Sequence, residues 1–293
     1  MYLPNNTRPL IGPEPILKAP PGATDCHMHV YLPGYESQPG GPTISELATV
    51  EDYYQIQKWL SLERVVVVQP NAYQCDNSAL LVALGQLGLN KARGVAVVTP
   101  ETPQAELEAW HSEGVRGARI MDLPGGAQSC ADMALIEPRI RELGWHMMVQ
   151  FNGHHLNDHL TSLKHLKTDF IIDHIGKFMD PVPSDDVRVD EILRLLDRGN
   201  AWFKICAPYE TSLVGGPDYS DVGAVARRVI EHAPERVIWG SNWPHVGVPR
   251  SQYPNDAMQL DVLRQWATQS ECEKILVDNP ARLYGFDVNL ALT

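Results

Sequence analysis

The sequence predicts an α/β fold, a closed (β/α)8 TIM barrel, from three observations. Short β-branched or apolar runs recur along the chain, each is followed by a segment with helical periodicity, and the runs number eight. An open doubly wound sheet shares the alternation but usually announces a nucleotide through a glycine-rich first turn. Here that turn is HMHVYLPG, without GxGxxG. A length of 293 residues with 44% hydrophobic content suits one such barrel better than two ordinary domains.

In order, the strands are expected at 24–30 (TDCHMHV), 64–70 (RVVVVQP), 93–99 (RGVAVVT), 114–121 (GVRGARIM), 145–151 (WHMMVQF), 169–176 (DFIIDHIG), 201–207 (AWFKICA) and 236–242 (RVIWGSN). The first leads into YLPGYESQPGGPTISE, a long Gly- and Pro-rich loop. It is expected to form a lid or wall, because functional loops leave the C-terminal ends of barrel strands. Helices are expected in SALLVALGQLGL, PQAELEAWHSEG, MALIEPRIRELG, LTSLKHLK, VDEILRLLDRG, VGAVARRVIEHAP and AMQLDVLRQWATQ. Residues 1–22, rich in proline and without an apolar core, read as an extended arm ahead of a single domain over 23–293.

A formal net charge of −12 repels polyanions, so neither nucleic acid nor an anionic membrane surface is an expected partner. A small anionic substrate then needs a local cationic site. No window approaches a membrane span, and the five cysteines lack CxxC spacing, so no disulfide framework or zinc knuckle is expected. The expectation is a cytoplasmic protein whose oligomeric state is left open.

Strand period two places His27 and His29 on one side of the first strand, where they can face the barrel interior near its rim. His174 closes the sixth run and Asn242 the eighth. Arg119 ends the fourth strand and suits bidentate pairing with a carboxylate. Asn71 and Tyr73 follow the second at a spacing that puts both on one face; Gln150 ends the fifth; Lys204 and Tyr209 lie on or after the seventh. These are expected to bind substrate hydroxyls, with Lys204 alternatively an interior cation. Trp243 and His245 could shape the pocket mouth, and His154, His155 and His159 read as a solvated face.

Five motifs, DCHMHV, VVVVQPNAYQCDN, GVRGARI, FIIDHIGK and WGSNWPH, stand in this order across the chain. Together they resemble the amidohydrolase superfamily, and more narrowly its 2-pyrone-4,6-dicarboxylate lactonase-like branch. The resemblance implies activity on carboxylated lactones. In metal-dependent members it implies ions held by the strand-one histidines, a strand-four lysine or glutamate or a strand-five histidine, a strand-six histidine and a strand-eight aspartate. This chain has Arg119-Ile120-Met121, Gln150-Phe151 and Asn242 at the last three strand ends of that pattern other than His174. What remains is His27, His29 and His174 without a carboxylate, so no catalytic metal and no other cofactor is expected.

In such lactonases the strand-eight aspartate is expected to activate water. Asn242 cannot act as that base, yet it can orient a hydroxyl, and a hydroxyl already on the substrate has an effective molarity of order 10⁵ M or more. The expected reaction is therefore acyl migration within a lactone that carries its own free hydroxyl, and the resemblance implies a sugar-acid lactone, with migration from the 1,5- to the 1,4-lactone of galactarate. His27, His29, His174 and Asn242 are its catalytic group: the histidines donate to the carbonyl oxygen, and His174 carries the proton. The alternatives are a lactone hydrolase and a non-catalytic sugar-acid-binding barrel.

Overall fold

The computed structural model describes residues 3–287; residues 1–2 of the expected arm and 288–293 of the expected domain lie outside the described residues. Its strands are β1 Thr24–Met28, β2 Arg64–Val68, β3 Ala92–Ala96, β4 Val115–Asp122, β5 His146–Phe151, β6 Phe170–Ile172, β7 Ala201–Cys206 and β8 Val237–Gly240. They form one parallel sheet in chain order, so each expected run supplies one strand. The ring closes where Met28 bridges Trp243, with the His29 N–H donating to Trp243 O at 2.8 Å and the Asn242 N–H to His27 O at 2.8 Å. Closure needs a glycine: a Cβ on Gly240 would lie 2.5 Å from His27 Cβ.

Helices α1 Val50–Leu60, α2 Ser78–Leu87, α3 Gln104–Ser112, α4 Met133–Arg141, α5 Leu156–His165, α6 Val187–Leu196 and α7 Ser220–His232 occupy the seven connections. The first was not among the expected helices. Thr49 and Asp52 start it with a capping box, each side chain bonding the other's backbone N–H. Cys26, Val66, Val68, Val95, Met148, Ile171, Trp202 and Ile238 form an inner cluster with Tyr284 and Phe286. Arg64 and Arg93 stack over Phe286, at 5.4 and 4.6 Å from its centroid, so the C-terminal segment plugs the end where the strands begin. The opposite end is left for chemistry. Among the described residues no helix is long and apolar enough to cross a membrane.

Asp25 fastens the closure. Its Oδ1 accepts from the backbone N–H groups of His27 (3.0 Å) and Ser241 (2.9 Å), and its Oδ2 from Tyr53 (2.9 Å) and Ser241 Oγ (2.5 Å). One buried carboxylate thereby ties β1, α1 and the end of β8 together.

The sixth strand stops earlier than expected. After Ile172 the Asp173 side chain accepts the His174 N–H at 3.0 Å, and His174, Ile175, Gly176 and Lys177 follow at φ 51, 54, 74 and 47°. Left-handed backbone is costly for residues other than glycine, of order 1–3 kcal/mol each, and most unusual for β-branched Ile175. Such strain clusters at functional turns. Here it turns His174 and Lys177 toward the open end of the barrel.

Candidate active site

A cavity of about 300 Å³ at the C-terminal strand ends is lined by His29, Tyr31, Asn71, Arg119, Gln150, His174, Lys177, Glu210 and Asn242, among others. The long loop after β1 contributes Tyr31 and Pro42, so it forms a wall. The histidines converge: the His27 ring centroid lies 4.9 Å from both the His29 and the His174 centroids.

Their hydrogen bonds settle which protons are available. His29 Nδ1 lies 2.8 Å from Val68 O, and a carbonyl only accepts, so this nitrogen carries hydrogen. Burial, with Arg119 second, pushes the His29 pKa down to about 3, so the ring is neutral and its Nε2 is bare. His27 Nε2, 3.3 Å away, must then donate to it. Burial also pushes His27 well down, leaving Nδ1 to accept from Lys204 Nζ at 3.3 Å. The expectation that three histidines donate to a substrate oxygen is therefore corrected. The N–H groups of His27 and His29 are already used, and His27, fully buried, sits beneath the cavity.

His174 differs because carboxylates flank it. Its Nδ1 is 3.1 Å from Asp173 Oδ2, at an angle short of a hydrogen bond, and its Nε2 is 3.8 Å from Glu210 Oε2. Asp173 also faces Lys204 Nζ at 3.4 Å and His27 Nδ1 at 3.5 Å. Burial pushes the Asp173 carboxyl up, but His174 and Lys204 together hold it well below the ordinary range. Glu210 behaves alike: burial raises it, and His174 and its ion pair with Lys177 bring it below the usual value. Two ionised carboxylates thus stand where none was expected.

Arg119 is buried and lines the cavity. Its Nη1 donates to Gln69 O at 2.5 Å and its Nη2 to Gln150 Oε1 at 3.3 Å, while Nε has no partner. Among the described residues no carboxylate pairs with it, and burial draws its pKa down. A buried cation without a counter-ion is costly, and the guanidinium keeps hydrogens with which an anion can pair. Gln150 serves this guanidinium as well as the cavity.

Other expected residues fall differently. Asn71 lines the cavity, but Tyr73 does not: both lie in a 3₁₀ turn, Asn71–Tyr73, whose period is three rather than two, so their side chains diverge. The Tyr73 hydroxyl instead accepts the Leu32 N–H at 3.2 Å. Lys204 is wholly buried beside Met148, an interior cation that cannot reach substrate. Tyr209 stands behind Asn242, whose Nδ2 donates to its hydroxyl at 2.9 Å and to Glu210 Oε1 at 3.2 Å. Trp243 is fully buried against Tyr53, and His245 pairs with Asp256, so neither shapes the mouth. His155 is exposed, whereas His159 packs on Phe151.

Asp173, Lys177 and Glu210 were missed from the sequence. Asp173 left a signal, since it is the first charged residue after an apolar run, directly before His174. Glu210 left none, because a 3₁₀ turn, Pro208–Glu210, entered through Ala207 at φ 48°, decides where it points.

Ligand-type atoms of His27, His174 and Cys206 lie within 4.8 Å of one another, as do those of Asp122, Cys130 and His159.

Residues 24–286 match the family described as Amidohydrolase. The D-galactarolactone isomerase of Agrobacterium fabrum (strain C58 / ATCC 33970) is 38% identical over 281 residues, covering 94% of this chain and 96% of the relative. A 2-pyrone-4,6-dicarbaxylate hydrolase of Comamonas testosteroni is 34% identical over 92% of each chain. An apo crystal structure from Agrobacterium tumefaciens superposes with a TM-score of 0.91 at 37% identity, covering 96% of this chain and 99% of that one.

Proposed function

The chain belongs to the amidohydrolase family, and on that premise we propose that it is a metal-independent lactone isomerase, converting D-galactaro-1,5-lactone to D-galactaro-1,4-lactone by acyl migration without water. The observation that carries the proposal is the amide of Asn242 at the end of β8, in a chain with the stated likeness to an isomerase. An amide orients a hydroxyl but cannot deprotonate water.

Arg119 binds the substrate's free carboxylate through its remaining guanidinium hydrogens. Asn242 holds the substrate hydroxyl that attacks the lactone carbonyl. Asp173 faces His174 Nδ1 and favours the proton there, which leaves Nε2 to take the hydroxyl proton and return it to the departing ring oxygen. One C–O bond forms, one breaks, and a single proton moves between the two oxygens.

The donor set argues against a catalytic dication. The Nε2 atoms of His27 and His29 are committed to each other, and Lys204 occupies His27 Nδ1. Arg119, Lys177 and Lys204 already outnumber Asp173 and Glu210. Bringing in two more positive charges would meet net repulsion.

NMR of the 1,5-lactone with wild type and Asn242→Asp, before and after chelation, tests the reading. Wild type should release the 1,4-lactone at a rate that chelation leaves unchanged. Asn242→Asp should raise open diacid relative to 1,4-lactone on the order of 10²-fold. Open diacid as the sole wild-type product would favour hydrolysis, binding without turnover a silent barrel, and activity restored only by one ion a metal enzyme.

A further inference from the structure

We infer that Tyr209, His245 and Asp256 form a hydrogen-bonded relay that locks the Asn242 amide in one orientation, with its oxygen as the acceptor offered to the cavity. The kinetic consequence rests on the isomerase reading; the orientation itself does not.

The polarity of the relay can be derived from its two ends. His245 Nε2 lies 3.0 Å from Asp256 Oδ1, both residues are buried, and a carboxylate accepts, so the hydrogen is on Nε2. The near end fixes the rest: Glu210 Oε1, 3.2 Å from the Asn242 amide, can only accept, so the atom facing it is Nδ2, and the Tyr209 hydroxyl, meeting this donor at 2.9 Å, must give its own hydrogen to His245 Nδ1 at 2.9 Å. Burial, with Glu210 second, pushes the Tyr209 pKa well up, so the hydroxyl keeps its hydrogen. Its oxygen is left to accept, and Asn242 Nδ2 donates to it at 2.9 Å. The second Nδ2 hydrogen goes to Glu210 Oε1 at 3.2 Å.

Both hydrogens of the amide are thereby used inside the protein. Reversing the amide would set its oxygen against Glu210 Oε1, an acceptor facing an acceptor, and would leave the Tyr209 oxygen without a donor. The flip is opposed at both contacts. Asn242 and His245 also sit in left-handed backbone, at φ 60 and 59°, so the turn joining them is held by its side-chain partners rather than by its own preference. Asn242 Oδ1 alone remains for substrate, and as an acceptor it selects a hydroxyl.

Tyr209, His245 and Asp256 are thus positioning residues, as a carboxylate that fixes an imidazole tautomer is in other enzymes. Their effect is distinguishable from a merely structural one. Tyr209→Phe keeps the ring but removes the acceptor. Asp256→Asn keeps the shape but lets the relay run in either direction.

The experiment follows the side-chain amide protons of Asn242 by ¹⁵N NMR, with the resonances assigned by their loss in Asn242→Asp, alongside kinetics on the 1,5-lactone. In wild type both protons should resist solvent exchange. In Tyr209→Phe one should exchange at least about ten times faster, the weight of one lost hydrogen bond. In both variants kcat should fall about tenfold or more while KM stays within about twofold and Tm is retained. Unchanged exchange in Tyr209→Phe overturns the relay, and so does unchanged kcat in an enzyme that isomerises. A wild type that does not isomerise defeats the functional reading, while the exchange measurement still judges the relay.

Discussion

Asp25, within β1, and Asp173, directly after β6, are both buried carboxylates of one barrel, and the chain uses them in opposite ways. Asp25 meets only neutral donors: two backbone N–H groups, a serine and a tyrosine occupy its oxygens. Burial wins there, and its pKa is raised despite those bonds. Asp173 meets His174, Lys204 and His27, keeps Oδ2 free of any hydrogen bond, and is held low. Neutral saturation makes a clamp, whereas charged, incompletely bonded surroundings make a site that can bind an imidazole and pass on its influence.

The largest expected effect tests the charged member. Asp173→Asn leaves Lys204 buried without its counter-ion and should cost about 3–5 kcal/mol in urea unfolding, with loss of activity. A stability close to wild type would mean that Lys204 does not depend on Asp173, and the contrast between the two aspartates would fail.

Arg119 extends the comparison to a buried cation with no carboxylate partner among the described residues. Arg119→Met should lower kcat/KM by about 2–5 kcal/mol of transition-state binding, and Arg119→Lys should not fully restore it. Its folding stability should hold or rise, because an uncompensated charge has been removed. Normal kinetics combined with lost stability would make Arg119 a structural residue.

Asp25→Asn should be milder, about 1–3 kcal/mol, since the amide keeps one acceptor and loses the other. Its pH signature has the opposite sign to that of Asp173. Asp173 is held below the ordinary carboxyl value of about 3.9, so its contribution is present above that pH and lost as pH falls through the folded value. Asp25 is raised, so its contribution is complete below about pH 3.9 and is lost as pH rises through the folded value. Stability measured from pH 2 to 6 should therefore show less acid loss in Asp173→Asn below about pH 4, and a removed decline in Asp25→Asn above it. Parallel profiles would erase the distinction.

Much of this protein was legible in its sequence because the relevant signals are local. Strand period two and apolar runs placed the eight strands, and the residues ending those runs, His29, Arg119, Gln150, His174 and Asn242, line the cavity. What the tertiary structure alone decided depends on backbone that leaves the regular period. The 3₁₀ turn after β2 separated Asn71 from Tyr73, and left-handed residues after β6, β7 and β8 aimed Lys177, Glu210 and Asn242. Proton positions were equally out of reach. Lys204 meets His27 across 177 residues of chain and Tyr209 meets His245 across 36, and which nitrogen carries hydrogen follows from those partners, which only barrel closure brings together.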